Sequence, residues 1–308
     1  MNEPQEHIHP QEKETSGARL LATLLLNITI SAVELIGGVA SGSLSLVSDA
    51  FHNLGDGAAV VISYVAIRLR RRDNSERHTF GLKRAEIFAA FINSAALIAV
   101  SLFLCYQAVR RLAHPELVQG QVMIFVALVG LAANLAGTLL LKRGAGTSLN
   151  IRATYLHMLG DAVSSVGVVV AGVTIALWRL YWIDPIVTIA IAFYIGKESV
   201  AILLSAVHVL MEGSPPGIAL ESLRDAIEGV PGVKNVHHLH LWSVGEHDIH
   251  AEAHVEVDDM PVSVSAQLRE RVAHLLAERF DIRHVTLQLE CGGCDDVGLV
   301  KQRTGAQQ

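Results

Sequence analysis

Two segments of this sequence place a histidine and an aspartate four residues apart: His52-Asn53-Leu54-Gly55-Asp56 and His157-Met158-Leu159-Gly160-Asp161. On a helix, residues at that spacing share a face. Each pair therefore offers one imidazole nitrogen and one carboxylate oxygen to the same neighbourhood. If the two helices touch, four N/O donors converge, a set that suits tetrahedral Zn²⁺. Mixed imidazole and carboxylate also suits Co²⁺ or Cd²⁺, whereas an all-oxygen set favours Mg²⁺, Ca²⁺ or Mn²⁺. Asp49 lies one turn before His52 on the same face. Glu34 is a further acid in an apolar run, fit for proton handling or packing. The competing expectation is that these groups are polar glue between helices. The same spacing twice, in two otherwise apolar segments, is what favours a metal site.

The elements that must position these residues are membrane helices. The chain has 308 residues, of which 51% are hydrophobic and 18% charged. Soluble chains carry about 25% charge, so the composition argues against a wholly soluble protein. Three cysteines exclude a disulfide scaffold, and a net charge of −6 gives no reason to expect nucleic-acid binding. A spanning helix needs roughly 20 mostly apolar residues. Six segments qualify, at 19–39, 44–67, 85–109, 122–141, 153–177 and 184–206. The sixth is the weakest, because Lys197 and Glu198 interrupt it, and its Asp184-Pro185 reads as a helix start with Asp at the N-cap. An ionisable residue at the centre of a span costs from roughly 2.5–3.5 kcal/mol, so Asp49, His52, Asp56, His157 and Asp161 need a function to justify their place.

Six spans put both termini on one side. That side holds 12 basic residues and the other only Arg110, Arg111 and Arg179, which places the termini in the cytoplasm. The first 18 residues lack an apolar signal-peptide core. Without a targeting segment, and with short loops, a bacterial inner membrane is the expected location. After Met211 the pattern becomes acidic, with 16 Asp+Glu against 6 Lys+Arg over 212–296. Helix-like 218–228, strands 233–244 and 247–257, helix-like 262–280 and strand 283–290 give the order αββαβ, a small α+β sandwich. The expected organisation is a tail (1–17), a six-helix membrane domain (18–210), a cytoplasmic domain (211–292) and a second tail (293–308).

The chain resembles the cation diffusion facilitator family, in its zinc-transporting branch. The resemblance runs from about Arg19 to Glu290. It is carried by the stretch Ser43 to Asp56, by Arg77-His78-Thr79-Phe80-Gly81, by Tyr155 to Asp161, by Val236-His237-His238-Leu239-His240-Leu241-Trp242 and by His284 to Glu290. It implies a homodimeric metal/proton antiporter with a ferredoxin-like cytoplasmic domain, and a transport site of His52, Asp56, His157 and Asp161. The His at 52, where manganese-type members have Asp, favours zinc. It also implies regulatory metal at His237, His254 and Glu290, near the domain's dimer contact. Where the family commonly has a His just before position 284, Arg283 stands here, so the resemblance implies that His284, or a histidine from elsewhere, substitutes as the ligand. Strand alternation points His238 and His240 one way and His237 the other. The loop site between the second and third spans keeps only His78, with Ser75 and Leu82 nearby, and no strong site is expected there. Cys291 and Cys294 form one C-x-x-C, half of a closed zinc site, which His7 and His9 of the tail would have to complete.

The expected function is efflux of a divalent cation, Zn²⁺ first, by proton antiport through a membrane in contact with lipid, with metal tuning the cytoplasmic domain. The alternatives are an intramembrane metal-dependent enzyme and a membrane-anchored sensor. An enzyme would need a base and an open coordination position, and the sequence has no H-E-x-x-H and no Gly-x-Ser-x-Gly elbow. A sensor leaves the ligands inside two spans unexplained.

Overall fold

The computed structural model describes residues 10–70, 75–142, 149–245, 248–292 and 298–300. Among them, six long helices come first: α1 (Pro10–Ser41), α2 (Leu44–Arg70), α3 (Ala85–Ala113), α4 (Gly120–Lys142), α5 (Leu149–Trp178) and α6 (Ile183–Leu210). All except α2 are long and apolar enough to cross a membrane. At 27 residues, α2 is about 40 Å long, ample for a span. Its acids, His52 and its basic end lower its hydropathy instead. The weak member is thus the second helix and not the sixth, where three charges are diluted over 28 residues.

The chain divides into two compact units. One comprises the chain to Tyr64 with Ile92–Leu203; the other comprises Val65–Phe91 with Leu204–Gln308. In the first unit, Leu46, Met123, Ala127, Val168, Ala171 and Ile175 form the buried apolar centre. Helices α4 and α5 approach closely where they carry glycine. A Cβ on Gly120 would lie 2.8 Å from the Ala176 nitrogen and 2.9 Å from the Gly172 carbonyl.

The start of α2 is held by a residue 140 positions away. Asp184 is fully buried. Its Oδ1 accepts from Ser43 Oγ (2.6 Å), Ser45 Oγ (2.7 Å) and Ser45 N (3.2 Å), and its Oδ2 from Leu44 N (2.8 Å). A helix N-terminus presents unpaired N–H groups and the positive end of its dipole, so a carboxylate there is stabilising. Asp184 therefore caps α2 and not its own helix. The reason is local: α6 begins one residue earlier, at Ile183, which leaves Asp184 inside the first turn with its carboxylate turned to the neighbour. Arg111 donates to the Gly42 carbonyl and approaches Asp184 Oδ2 at 3.9 Å.

The second unit contains α7 (Leu220–Glu228), β1 (Val233–Ser243), β2 (Ile249–Val257), α8 (Val262–Phe280) and β3 (His284–Glu290), the order expected. Among the described residues the sheet runs β1-β2-β3. β1 and β2 are antiparallel, and β2 and β3 parallel, as a connection through a helix allows. Leu223, Ile227, Val236, Leu239, Leu241, Val255, Leu268, Val272 and Leu276 fill the core between helices and sheet. The register of β1 slips between His237 and His240, and His238 takes a positive φ of 47°. This is a β-bulge, with one extra residue in β1. The amides of His238 and Leu239 bond to the carbonyls of Gly298 (3.2 Å) and Leu299 (2.8 Å), so the tail segment covers the strand edge at the bulge.

Candidate metal centre

Helices α2 and α5 bring both His-x-x-x-Asp pairs to one point in the first unit. His52 Nδ1 lies 3.5 Å from Asp56 Oδ2, and His52 Nε2 lies 3.5 Å from Asp161 Oδ1. His157 Nε2 lies 3.2 Å from Asp56 Oδ2 and 3.8 Å from Asp161 Oδ2. Each carboxylate thus touches both imidazoles. With Zn–N and Zn–O bonds of about 2.0–2.1 Å, the edge of a coordination tetrahedron is about 3.3 Å, so donor separations of 3.2–3.8 Å need little adjustment to hold such an ion. The buried atoms His52 Nδ1 and Asp56 Oδ2 make no hydrogen bond, and two imidazoles facing two carboxylates have electrons to give a cation. Tyr194 on α6 sets its ring edge-on to His52 at 6.2 Å.

The accessory acids sit around this point and are held differently. Asp49 accepts from Ser164 Oγ (2.8 Å) and Ser165 Oγ (3.3 Å) of α5, so it ties α2 to α5. Glu34 of α1 is buried and accepts from Asn53 Nδ2 at 3.0 Å. Asn27 in turn donates to the Asn53 carbonyl at 3.3 Å. Glu34 Oε1 is buried without a hydrogen-bond partner. Gly130 makes room for it, since a Cβ there would collide with that oxygen. Gly130→Ala is therefore expected to displace Glu34, and a weakened metal affinity with little loss of folded yield on size-exclusion chromatography would check this.

The second unit carries a separate cluster. His237 and His254 are register partners on β1 and β2. Glu290 of β3 reaches both, with Oε2 3.3 Å from His237 Nε2 and Oε1 2.7 Å from His254 Nδ1. His238 joins them against the expectation from alternation. Its ring lies 5.0 Å from that of His237 and 4.9 Å from that of His254. The donor atoms of His237, His238 and His254 all lie within 4.8 Å of one another. The bulge is the cause, because its extra residue puts consecutive histidines on one side. The signal was in the sequence: apolar positions run 236, 239, 241, and the step of three before the step of two is the phase slip of a bulge. His240 is exposed.

Burial opposes ionisation of Glu290, but the Gln288 hydrogen bond and the neighbouring His254 and His237 outweigh it and hold its carboxyl below the ordinary glutamate value. With a depressed folded value, its contribution to stability is present above the unfolded value and lost as pH falls through the folded one. Thermal melts from about pH 6 down to about pH 3 should show less acid-side loss in Glu290→Gln than in the parent.

His284 is not in this cluster. It pairs in register with His250, while Glu290 pairs with Glu256, and six residues of strand separate the two positions by about 20 Å. Parallel pairing starts β3 at the far end of β2 from His254. Cys291 is a free, exposed thiol; Cys294, His7 and His9 lie outside the described residues. Ser75 and His78 pair in a tight turn on the connection before α3, with both residues exposed.

Comparison with known proteins accounts for both units. Residues 20–211 match the cation efflux transmembrane domain, and residues 215–291 match the cytoplasmic domain of cation efflux proteins. A zinc transporter ZitB from Pectobacterium atrosepticum is 37% identical over 292 residues, covering 94% of this chain and 90% of that protein. A cadmium, cobalt and zinc/H(+)-K(+) antiporter from Bacillus subtilis is 35% identical, covering 88% of each chain. A metal cation efflux system protein CzcD from Cupriavidus metallidurans is 34% identical, covering 94% of this chain and 90% of that protein.

Proposed function

The chain belongs to the cation efflux family, and from that premise we propose that it exports divalent cations, Zn²⁺ above all, in exchange for protons. The cargo site is His52, Asp56, His157 and Asp161. The observation that supports it is the convergence of two imidazoles and two carboxylates with donor separations of 3.2–3.8 Å. Co²⁺ and Cd²⁺ accept the same donors, and relatives named for cadmium, cobalt and zinc fit that breadth.

The ligands dictate the coupling. A divalent ion takes neutral imidazole and ionised carboxylate, so loading releases protons. Imidazole titrates close to cytoplasmic pH. A site opened to a more acidic side therefore loses its ion to protons on His52 and His157, and the returning protons drive the next export. Asp49, through Ser164 and Ser165, keeps the two ligand-bearing helices in register, and Glu34 completes the buried polar layer with Asn53.

His237, His238, His254 and Glu290 form a regulatory metal site in the cytoplasmic domain, which joins a second copy of the chain. Both termini face the cytoplasm, and the host is a bacterial inner membrane. His238→Ala is expected to lower metal affinity of this site roughly tenfold or more, read by competition with a chromophoric chelator. Unchanged affinity would remove His238 from it.

The test of transport is Zn²⁺-dependent proton release in proteoliposomes carrying a pH-sensitive dye. Exchange is the expected result. Zn²⁺ binding without exchange would favour a sensor, and metal-dependent turnover of a substrate without exchange would favour an enzyme.

A further inference from the structure

We propose that His250 and His284 form an additional divalent-metal site on the cytoplasmic domain, distinct from the His237–His238–His254 cluster. The site takes a borderline transition ion, Zn²⁺ or Co²⁺, between two imidazoles, with water completing the shell.

The two residues face each other across parallel strands β2 and β3. Their ring centroids are 4.2 Å apart and tilted by 31°. His250 is only 3% exposed, and its Nδ1 is buried with no hydrogen-bond partner. A buried polar atom left unpaired costs about 1–3 kcal/mol, so simple packing does not explain an imidazole here. Both histidines line a cavity of about 330 Å³, and His284 is exposed and can turn its ring to share an ion.

The charged groups that line the cavity are two acids and two bases, and they balance. Its two nearest basic groups are already matched, Lys83 Nζ with Asp248 at 2.9 Å and Arg283 Nε with Asp281 at 3.0 Å. His250 and His254 lie on one sheet face, four residues or about 13 Å apart, too far to share one ion.

The aromatic surroundings supply both a consequence and a readout. Phe80, from the connection before α3, sets its edge to both imidazoles, at 5.4 Å from His250 and 5.9 Å from His284. An ion drawing the two rings together therefore shifts Phe80. Trp242 lies 5.6 Å from His250, within reach of quenching by a paramagnetic ion.

The test uses the full-length protein in detergent with Trp178→Phe and Trp182→Phe, which leave Trp242 as the single tryptophan of the three. His237→Ala and His254→Ala remove the neighbouring cluster. Titrated Co²⁺ should quench Trp242 emission saturably, and Zn²⁺ should restore it. His284→Ala changes an exposed residue, so folding is not at risk, and it should weaken the apparent Co²⁺ affinity at least tenfold. His250→Ala should do the same. The absence of saturable quenching, or an unchanged titration in His284→Ala, would overturn the site. Transport is not measured, so failure here leaves the cargo site untouched, and failure of transport leaves this site standing.

Discussion

Asp161→Ala is expected to abolish Zn²⁺/H⁺ exchange in proteoliposomes while the protein still folds and inserts. Asp161 is the more buried carboxylate of the four-residue site, 3% exposed against 26% for Asp56, and it reaches both imidazoles. Losing an outer partner of a metal ligand already costs about 10–100-fold in affinity or activity, so losing the ligand itself should exceed about 100-fold. Asp161→Asn keeps the shape and one acceptor oxygen but removes the charge that balances a divalent ion, and it should fail nearly as badly. The pH dependence should move as well. In the parent, acidifying the loading side slows uptake, because protons occupy the imidazoles. A variant that kept most of its exchange would place the cargo site elsewhere.

Asp184→Ala is expected to be the most damaging single change outside the metal site. It leaves Ser43 Oγ, Ser45 Oγ and the amides of Leu44 and Ser45 without their common acceptor. Hydrogen bonds to a charged group contribute about 1.5–3 kcal/mol each, and the losses are not additive, so the expected destabilisation is on the order of 3–5 kcal/mol. Ser43 Oγ still accepts from Leu46 N at 3.2 Å, so α2 keeps a weak cap of its own. Thermal melting in detergent reads the loss. Asp184→Asn, which retains one acceptor, should recover part of it, and any exchange that survives should show a lowered maximal rate at nearly unchanged Zn²⁺ affinity. A melting temperature equal to the parent's would mean that water replaces the carboxylate at no cost.

Local information in this chain is legible from its sequence, and non-local information is not. The pairs at 52/56 and 157/161 were legible because helix geometry fixes which residues share a face, and both pairs obeyed it. The element order of the cytoplasmic domain was legible for the same reason, from its alternating strands and its periodic helices. His238 was misplaced because alternation holds only for an unbroken strand, and the bulge inserts a residue. Asp184 was misread because local rules see a cap for the helix that follows, whereas the orphan amides it serves belong to α2. His284 stands apart from the cluster, where it is one of the expected substitutes, because the register of a parallel pair depends on where β3 starts, which no nearby residue specifies. Each of these errors concerns which distant partner a residue meets.

The cap on α2 also has a meaning for how the protein is made. Its donors are complete once Ser45 has been synthesised, but its acceptor arrives about 140 residues later. At roughly 5–20 residues per second, α2 waits about 7–28 s for Asp184. During that interval the nascent helix that carries His52 and Asp56 enters the lipid with only the weak cap of Ser43 on its first turn. Its full cap forms only when α6 follows. Chains cut short before residue 184 should therefore leave α2 open to misplacement and quality-control proteolysis, however intact their first five helices are.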